Sequence, residues 1–218
     1  MKIKYIYMLL AATALMSGYA LADPVNVITN GDFEAGNTGF SSDYTFSPGN
    51  IWDPATYDIV SDPNDSHNLA SSFGDHTTGD GLMMVINGST EAGLTFWFQP
   101  VPIDPGGYYT LSFWVASWYP TSPGILDVLI NGISVGTITP PGGDQVGTWT
   151  QFTANWLAGS ADSATIGIMG LNTEYGGNDF AIDDISFVDP PIPAPEPSSL
   201  LLSGFGFLGL ALLRKRLR

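Results

Sequence analysis

The sequence predicts an all-β sandwich or barrel, and three observations carry that prediction. Short runs of alternating apolar and polar residues recur along the chain, each bounded by Gly, Pro or other turn-forming residues. The pair Asn131-Gly132 separates two such runs within Leu126 to Ile138, the strongest short-range signal for a β-hairpin. The body carries no convincing helical period, whereas the chain holds 26 Gly and 16 Pro in 218 residues.

In chain order the expected strands are Leu94 to Val101, Tyr109 to Trp118, Leu126 to Ile130, Ser134 to Ile138, Trp149 to Trp156, Ala164 to Met169 and Phe180 to Val188. Short strands at this spacing fit a sandwich or barrel. The chain has no cysteine, so no disulfide framework supports the fold and no cysteine can carry a lipid. Stability has to come from a hydrophobic core, and a body of roughly 170 residues is large enough to build one.

The two ends differ from the body. Lys2 and Lys4, the apolar run Ile6 to Met16 and the small residues Ala20-Leu21-Ala22 have the order of an export signal, so residues 1–22 are expected to be removed and the mature chain to begin at Asp23. The body, 23–189, runs into a Pro-rich linker, 190–197. Residues 198–213 are apolar or small throughout and would make roughly 24 Å of helix, slightly less than a bilayer core. Arg214, Lys215, Arg216 and Arg218 follow at once, and the positive-inside rule leaves this 214–218 tail in the cytoplasm and the body outside.

Charge separates the ends from the body just as sharply. All six Lys and Arg residues lie in the end segments, while all 21 acidic residues fall between Asp23 and Glu196, where the other basic groups are only His67 and His76. Such a surface repels phosphate backbones, which excludes DNA and RNA as partners. With no side-chain cations to offset self-repulsion, a divalent cation or plain solvation has to make the charge tolerable. Neutral polymers such as polysaccharide are compatible with it.

Two catalytic motifs occur without their context. Gly132-Ile133-Ser134-Val135-Gly136 fits G-x-S-x-G, but the serine follows a hairpin turn and starts a strand instead of sitting on a strand-to-helix elbow. Gly204-Phe205-Gly206-Phe207-Leu208-Gly209 fits a dinucleotide fingerprint, yet it lies in the apolar tail with no βαβ unit around it. Glycoside hydrolysis needs two carboxylates facing across a cleft, and no pair is singled out by spacing. The chain is read as non-catalytic.

Pro195-Glu196-Pro197, followed by an apolar segment and a basic C-terminus, resembles the PEP-CTERM sorting signal of Gram-negative bacteria. The resemblance implies recognition by an exosortase, membrane anchoring before processing, and then a place at the cell surface or in the extracellular matrix, in an exopolysaccharide or biofilm system.

The body also carries a resemblance. Asn26-Val27-Ile28-Thr29-Asn30-Gly31-Asp32-Phe33-Glu34 and Ile182-Asp183-Asp184-Ile185-Ser186-Phe187 resemble the bracketing strands of galactose-binding-like jelly rolls of the carbohydrate-binding-module type, and Tyr109 to Val115 agrees with them. This implies a jelly-roll β-sandwich and a structural Ca2+ shared by Glu34, Asp183 and Asp184; calcium takes six to eight oxygens, which carboxylates and loop carbonyls supply. The same three residues also read as surface carboxylates beside a β-bulge.

Acidic loops such as Asp62-Pro63-Asn64-Asp65 and Gly79-Asp80-Gly81 lack EF-hand spacing and read as turns. His67 and His76 have no third ligand at a recognisable spacing for zinc. For a sugar, the strand Thr110 to Trp118 is the informative segment: alternation sets Leu111, Phe113 and Val115 on one face and Ser112, Trp114, Ala116 and Trp118 on the other. Either Trp114 and Trp118 are presented for stacking, with Tyr119 leading into the next loop, or loops cover that face and both are core. Trp52, in a loop, is a further candidate. A protein that binds carbohydrate and a structural matrix or adhesion protein with no isolated glycan ligand are the two functions compatible with these residues.

Overall fold

The computed structural model describes residues 24–189, in ten strands: β1 (Thr45–Phe46), β2 (Thr56–Val60), β3 (Met83–Asn87), β4 (Thr95–Pro102), β5 (Tyr108–Ser117), β6 (Leu126–Ile130), β7 (Ile133–Ile138), β8 (Thr150–Leu157), β9 (Ser163–Gly170) and β10 (Phe180–Val188). They form a six-stranded sheet, β1-β2-β3-β10-β5-β8, and a four-stranded sheet, β4-β9-β6-β7, packed as a jelly-roll sandwich. The expected export signal (1–22), linker (190–197), apolar helix (198–213) and basic tail (214–218) lie outside the described residues. Among the described residues no helix is long and apolar enough to cross a membrane.

All seven strands read from the sequence are present, each within one residue at either end. Alternation places Leu111, Phe113 and Val115 of β5 in the core between the sheets, against Val128 and Ile130 of β6 and Ile166 and Ile168 of β9. The hairpin also stands: Ile130 pairs with Ile133 across Asn131 (φ 53°) and Gly132 (φ 75°), the positive-φ pair that a two-residue turn of matching twist requires. The Asn131 side-chain oxygen accepts the Thr165 N–H at 2.8 Å and so ties the turn to β9.

Three strands carry no such signal. β1 is two residues long, and β2 holds Asp58. β3, Met-Met-Val-Ile-Asn, is buried at every position, so it lacks polar alternation. Its Met84 and Ile86 enter the main core, while Met83 and Val85 enter a second core on the outer face of the same sheet, with Ala181, Trp118, Ile51 and Ala70. The cover over that face is the segment between β2 and β3, residues 61–82, a strap that no periodicity announces.

The expected first bracketing strand needs correction. Residues 26–34 form only an isolated bridge, Asn26 with Val188, because the chain turns out of extended geometry at Asn30 (φ 55°) and Phe33 (φ 55°). The segment still runs beside β10: the Val27 N–H donates to the Phe187 carbonyl and the Ile185 N–H to the Gly31 carbonyl. A Cβ at Gly31 would collide with the Ile185 carbonyl, so glycine is needed for this approach.

Register defines the two ends of the sandwich. β10 begins with Phe180 beside Ser117 and ends with Val188 beside Thr110. Phe180 also pairs with Ile86, and the neighbouring Asn87 with Thr56. The loops before β2, after β3, after β5 and before β10 therefore share one end, here the tip, and the chain leaves at the other, roughly 30 Å along a nine-residue strand.

Candidate functional site

The tip is built from loops that are tied together. Asn87 Nδ2 donates to the Ile51 carbonyl at 2.7 Å, and Asn178 Nδ2 donates to the carbonyls of Ser89 at 3.0 Å and Asn172 at 2.9 Å. Asn172 Nδ2 in turn donates to the Pro123 carbonyl at 2.9 Å. Asn178 is buried with φ 63°, a left-handed geometry that asparagine tolerates, and a Cβ at Gly88 would fall on its side chain. Fixed loops of this kind present their outward side chains with little ordering cost on binding.

Two aromatic side chains project from the tip. Trp52 is 49% exposed, and its ring lies on the ring of His67, centroids 4.1 Å apart. His67 lies in turn against Trp118 at 5.0 Å. Trp118 has no exposed surface, and its Nε1 donates to the Ile86 carbonyl at 3.0 Å. The three rings form a stack anchored in the second core with Trp52 outermost. Burial pushes the His67 imidazole below its usual pKa, so it is neutral at physiological pH. Tyr175, in the loop before β10, is 78% exposed.

The sequence candidates for sugar stacking thus separate. Trp118 is not presented: the strap and His67 cover it, and its indole N–H is spent on a backbone carbonyl. Tyr119 is half-buried, edge-on to Trp118 at 6.3 Å, and packs against the second core. Trp114 is half-buried beneath His76, whose ring stacks on it at 3.9 Å and 16°. Only Trp52, the weakest candidate by pattern, is a surface platform.

The three carboxylates expected to share calcium all grip the strap. Asp183, fully buried, accepts the N–H groups of His76 (2.9 Å) and Thr77 (3.3 Å). Asp184 Oδ2 lies 2.6 Å from His76 Nδ1, and its other oxygen accepts the Thr77 hydroxyl at 2.7 Å. Glu34 accepts the Leu82 N–H at 2.8 Å. Burial, then the neighbouring Asp184 charge, pushes Asp183 up to about 7 against the N–H bonds that favour its ionised form. Among the described residues no three His, Asp or Glu side chains are grouped to hold a metal ion.

One rule governs all these carboxylates. With no Lys or Arg in the body, buried Asp side chains are satisfied by backbone N–H and hydroxyl groups. Asp58 accepts from the Gly49 N–H (2.7 Å) and the Ser66 hydroxyl, and Asp75 from the N–H groups of Thr78 and Gly81 (2.8 Å each). Burial raises the Asp75 pKa, but those N–H bonds outweigh it and leave the carboxyl below its usual range. Asp179, with one long bond from the Gly88 N–H (3.3 Å), is pushed up to about 7 by burial. The one contact between a basic side chain and a carboxylate among the described residues is His76 with Asp184.

Comparison with known proteins addresses the tail and the fold separately. Residues 193–216 match the PEP-CTERM protein-sorting motif, which includes Pro195, Glu196 and Pro197. No curated protein matches the chain. Among solved structures, the Stig cyclase Fisc from Fischerella sp. TAU is similar over 78% of this chain and 99% of its own, at 11% identity and TM-score 0.55. The CBM22-1 xylan-binding domain of Paenibacillus barcinonensis Xyn10C is similar over 82% and 100%, at 14% identity and TM-score 0.48. Family 16 Carbohydrate Binding Module-2 is similar over 75% and 100%, at 17% identity and TM-score 0.46. At 11% identity the likeness to Fisc concerns the fold alone, and a fold does not fix a function.

Proposed function

We propose that this is an exported, exosortase-sorted protein of a Gram-negative cell envelope whose body binds carbohydrate through the tip, without catalysis. The observation that carries the reading is the Trp52–His67–Trp118 stack, in which a half-exposed indole is held rigid from behind by a ring fixed in the core. A flat aromatic face stacks on the apolar face of a sugar ring, and a platform already immobilised loses little entropy on binding. The tip lies at the end of β10 opposite Val188.

Binding of the full chain in detergent to a glycan array tests the reading. Trp52→Ala is expected to abolish the hits and leave the melting temperature unchanged; hits that survive would remove the tip from the function. Delivery has its own test: with Pro195-Glu196-Pro197 changed to alanines the protein should remain in the membrane, and release as before would refute exosortase sorting. Residence in an exopolysaccharide matrix is part of the same proposal.

A second reading, a matrix or adhesion protein with no isolated glycan ligand, draws on the exposed Ile133, Tyr108 and Leu157 at the chain-exit end. It predicts a blank array together with loss of cell cohesion on gene deletion.

A further inference from the structure

We infer that acid undoes the tip platform: protonation of His67 drives its ring out of the stack and frees Trp52, so that a glycan held at neutral pH is released at about pH 5. This rests on the carbohydrate-binding reading above. The ring is placed to be neutral. Its Nδ1 accepts the Leu69 N–H at 3.3 Å, which leaves the single proton of the neutral imidazole on Nε2. A second proton has to go on Nδ1, where it would face the Leu69 N–H, donor against donor, and break that bond. His67 is only 7% exposed, with Trp52 on its ring at 4.1 Å and Trp118 against it at 5.0 Å, so the new charge would also be buried. Two indoles attract an imidazolium, but the cost of burial is larger and holds the ring below its usual pKa.

No carboxylate offsets that cost in place. Asp58 of β2 is engaged by the Ser66 hydroxyl and the Gly49 N–H, and Asp62 of the strap by the Asn64 N–H and the Ser72 hydroxyl. Asp53, next to Trp52 in the chain, and Asp65 of the strap are exposed to water. The end of β5 contributes Trp118, and Asp179 meets that residue through its backbone carbonyl, which accepts the Trp118 N–H at 3.4 Å. The Asp179 carboxyl, pushed up to about 7, takes its proton before His67 does. Outside the stack an imidazolium regains water and the attraction of an acidic body without Lys or Arg. The His67 backbone is fixed by its N–H to the Pro63 carbonyl and by the Ala70 N–H to its own carbonyl, so the change is a side-chain rotation. Trp118 stays, held by the Ile86 carbonyl, and Trp52 loses its backing. The neutral stack is complete above about pH 6.5 and is lost as pH falls below it.

The test uses the full chain in detergent. On a glycan array, hits at about pH 7.5 are expected to weaken at least about tenfold at about pH 5 and to return when the pH is restored. His67→Phe, which keeps a flat ring without a titrating group, should hold its hits at both values, and Asp179→Asn should lose them as the natural chain does. Hits unchanged in acid, or a parallel loss in His67→Phe, would overturn the switch and leave the carbohydrate reading standing. A second readout needs no glycan and no change at position 67: the ring protons of His67 by NMR, told from those of His76, the only other histidine, with His76→Ala. They should shift on protonation together with the indole N–H signal of Trp52. A ring that stays neutral at about pH 5, or protonates while the Trp52 signal stands still, would overturn the proposal. A coupled shift with an array blank at both pH values would remove the carbohydrate reading and keep the switch.

Discussion

His76 stacks flat on Trp114, ring centroids 3.9 Å apart at 16°, and this contact joins the strap to the middle of β5. The indole that alternation sets outward is therefore roofed by a side chain 38 residues earlier, from a segment whose other holds include carboxylates of β10. Removing the ring with His76→Ala is expected to cost about 1 kcal/mol, the scale of an aromatic pair, and to shift tryptophan emission to the red. Urea unfolding and fluorescence would check it; unchanged values in both would mean that Glu34, Asp183 and Asp184 retain the strap without the ring.

The two tryptophans of the tip stack should respond in opposite ways. Trp118→Ala empties a fully buried site and removes the bond to the Ile86 carbonyl, so a loss of about 3–5 kcal/mol is expected in urea unfolding. Trp52→Ala lies at the surface and should cost less than about 1 kcal/mol. Comparable losses would mean that Trp52 serves the fold.

Asp179 sets a pH dependence of definite sign. Its folded pKa of about 7 lies above the unfolded value near 4, so the fold binds the proton more tightly. Its contribution is complete below about pH 4 and is lost as pH rises to 7, at no more than about 1.4 kcal/mol per pH unit. Asp179→Asn should make the stability profile less steep between about pH 4 and 7, with Asp183 keeping its own share, measured by denaturant unfolding. An equally steep variant would place the titration elsewhere.

Salt should stabilise this protein. The body holds carboxylates and, apart from two histidines, no basic groups, so screening weakens repulsion and breaks almost no ion pairs. A rise of a few degrees in melting temperature is expected between about 20 and 500 mM sodium chloride. A fall would show that the His76–Asp184 pair carries more than its share.

Calcium offers a sharper contrast. Glu34, Asp183 and Asp184 are occupied by donors of the strap, so the melting temperature in EDTA is expected to equal that in millimolar calcium. A calcium-dependent rise would show that the ion displaces those donors and uses the oxygens that the sequence resemblance assigns to it.

The sequence by itself determined the strands that alternate, the Asn131-Gly132 turn, the sorting tail and the concentration of acid in a body without Lys or Arg. These features are local: periodicity, turn chemistry and charge are properties of neighbouring residues. Tertiary structure decided which aromatics reach solvent. Alternation assigned Trp114 and Trp118 to a face, but a strap with no periodicity of its own covers that face, and its hold runs through bonds such as His76 N–H to Asp183, 107 residues apart. β3 escaped notice for the same reason, since burial on both faces erases the alternation that marks a strand. Trp52, unremarkable in its loop, became the platform because His67 and Trp118 were brought behind it, a juxtaposition that only packing creates.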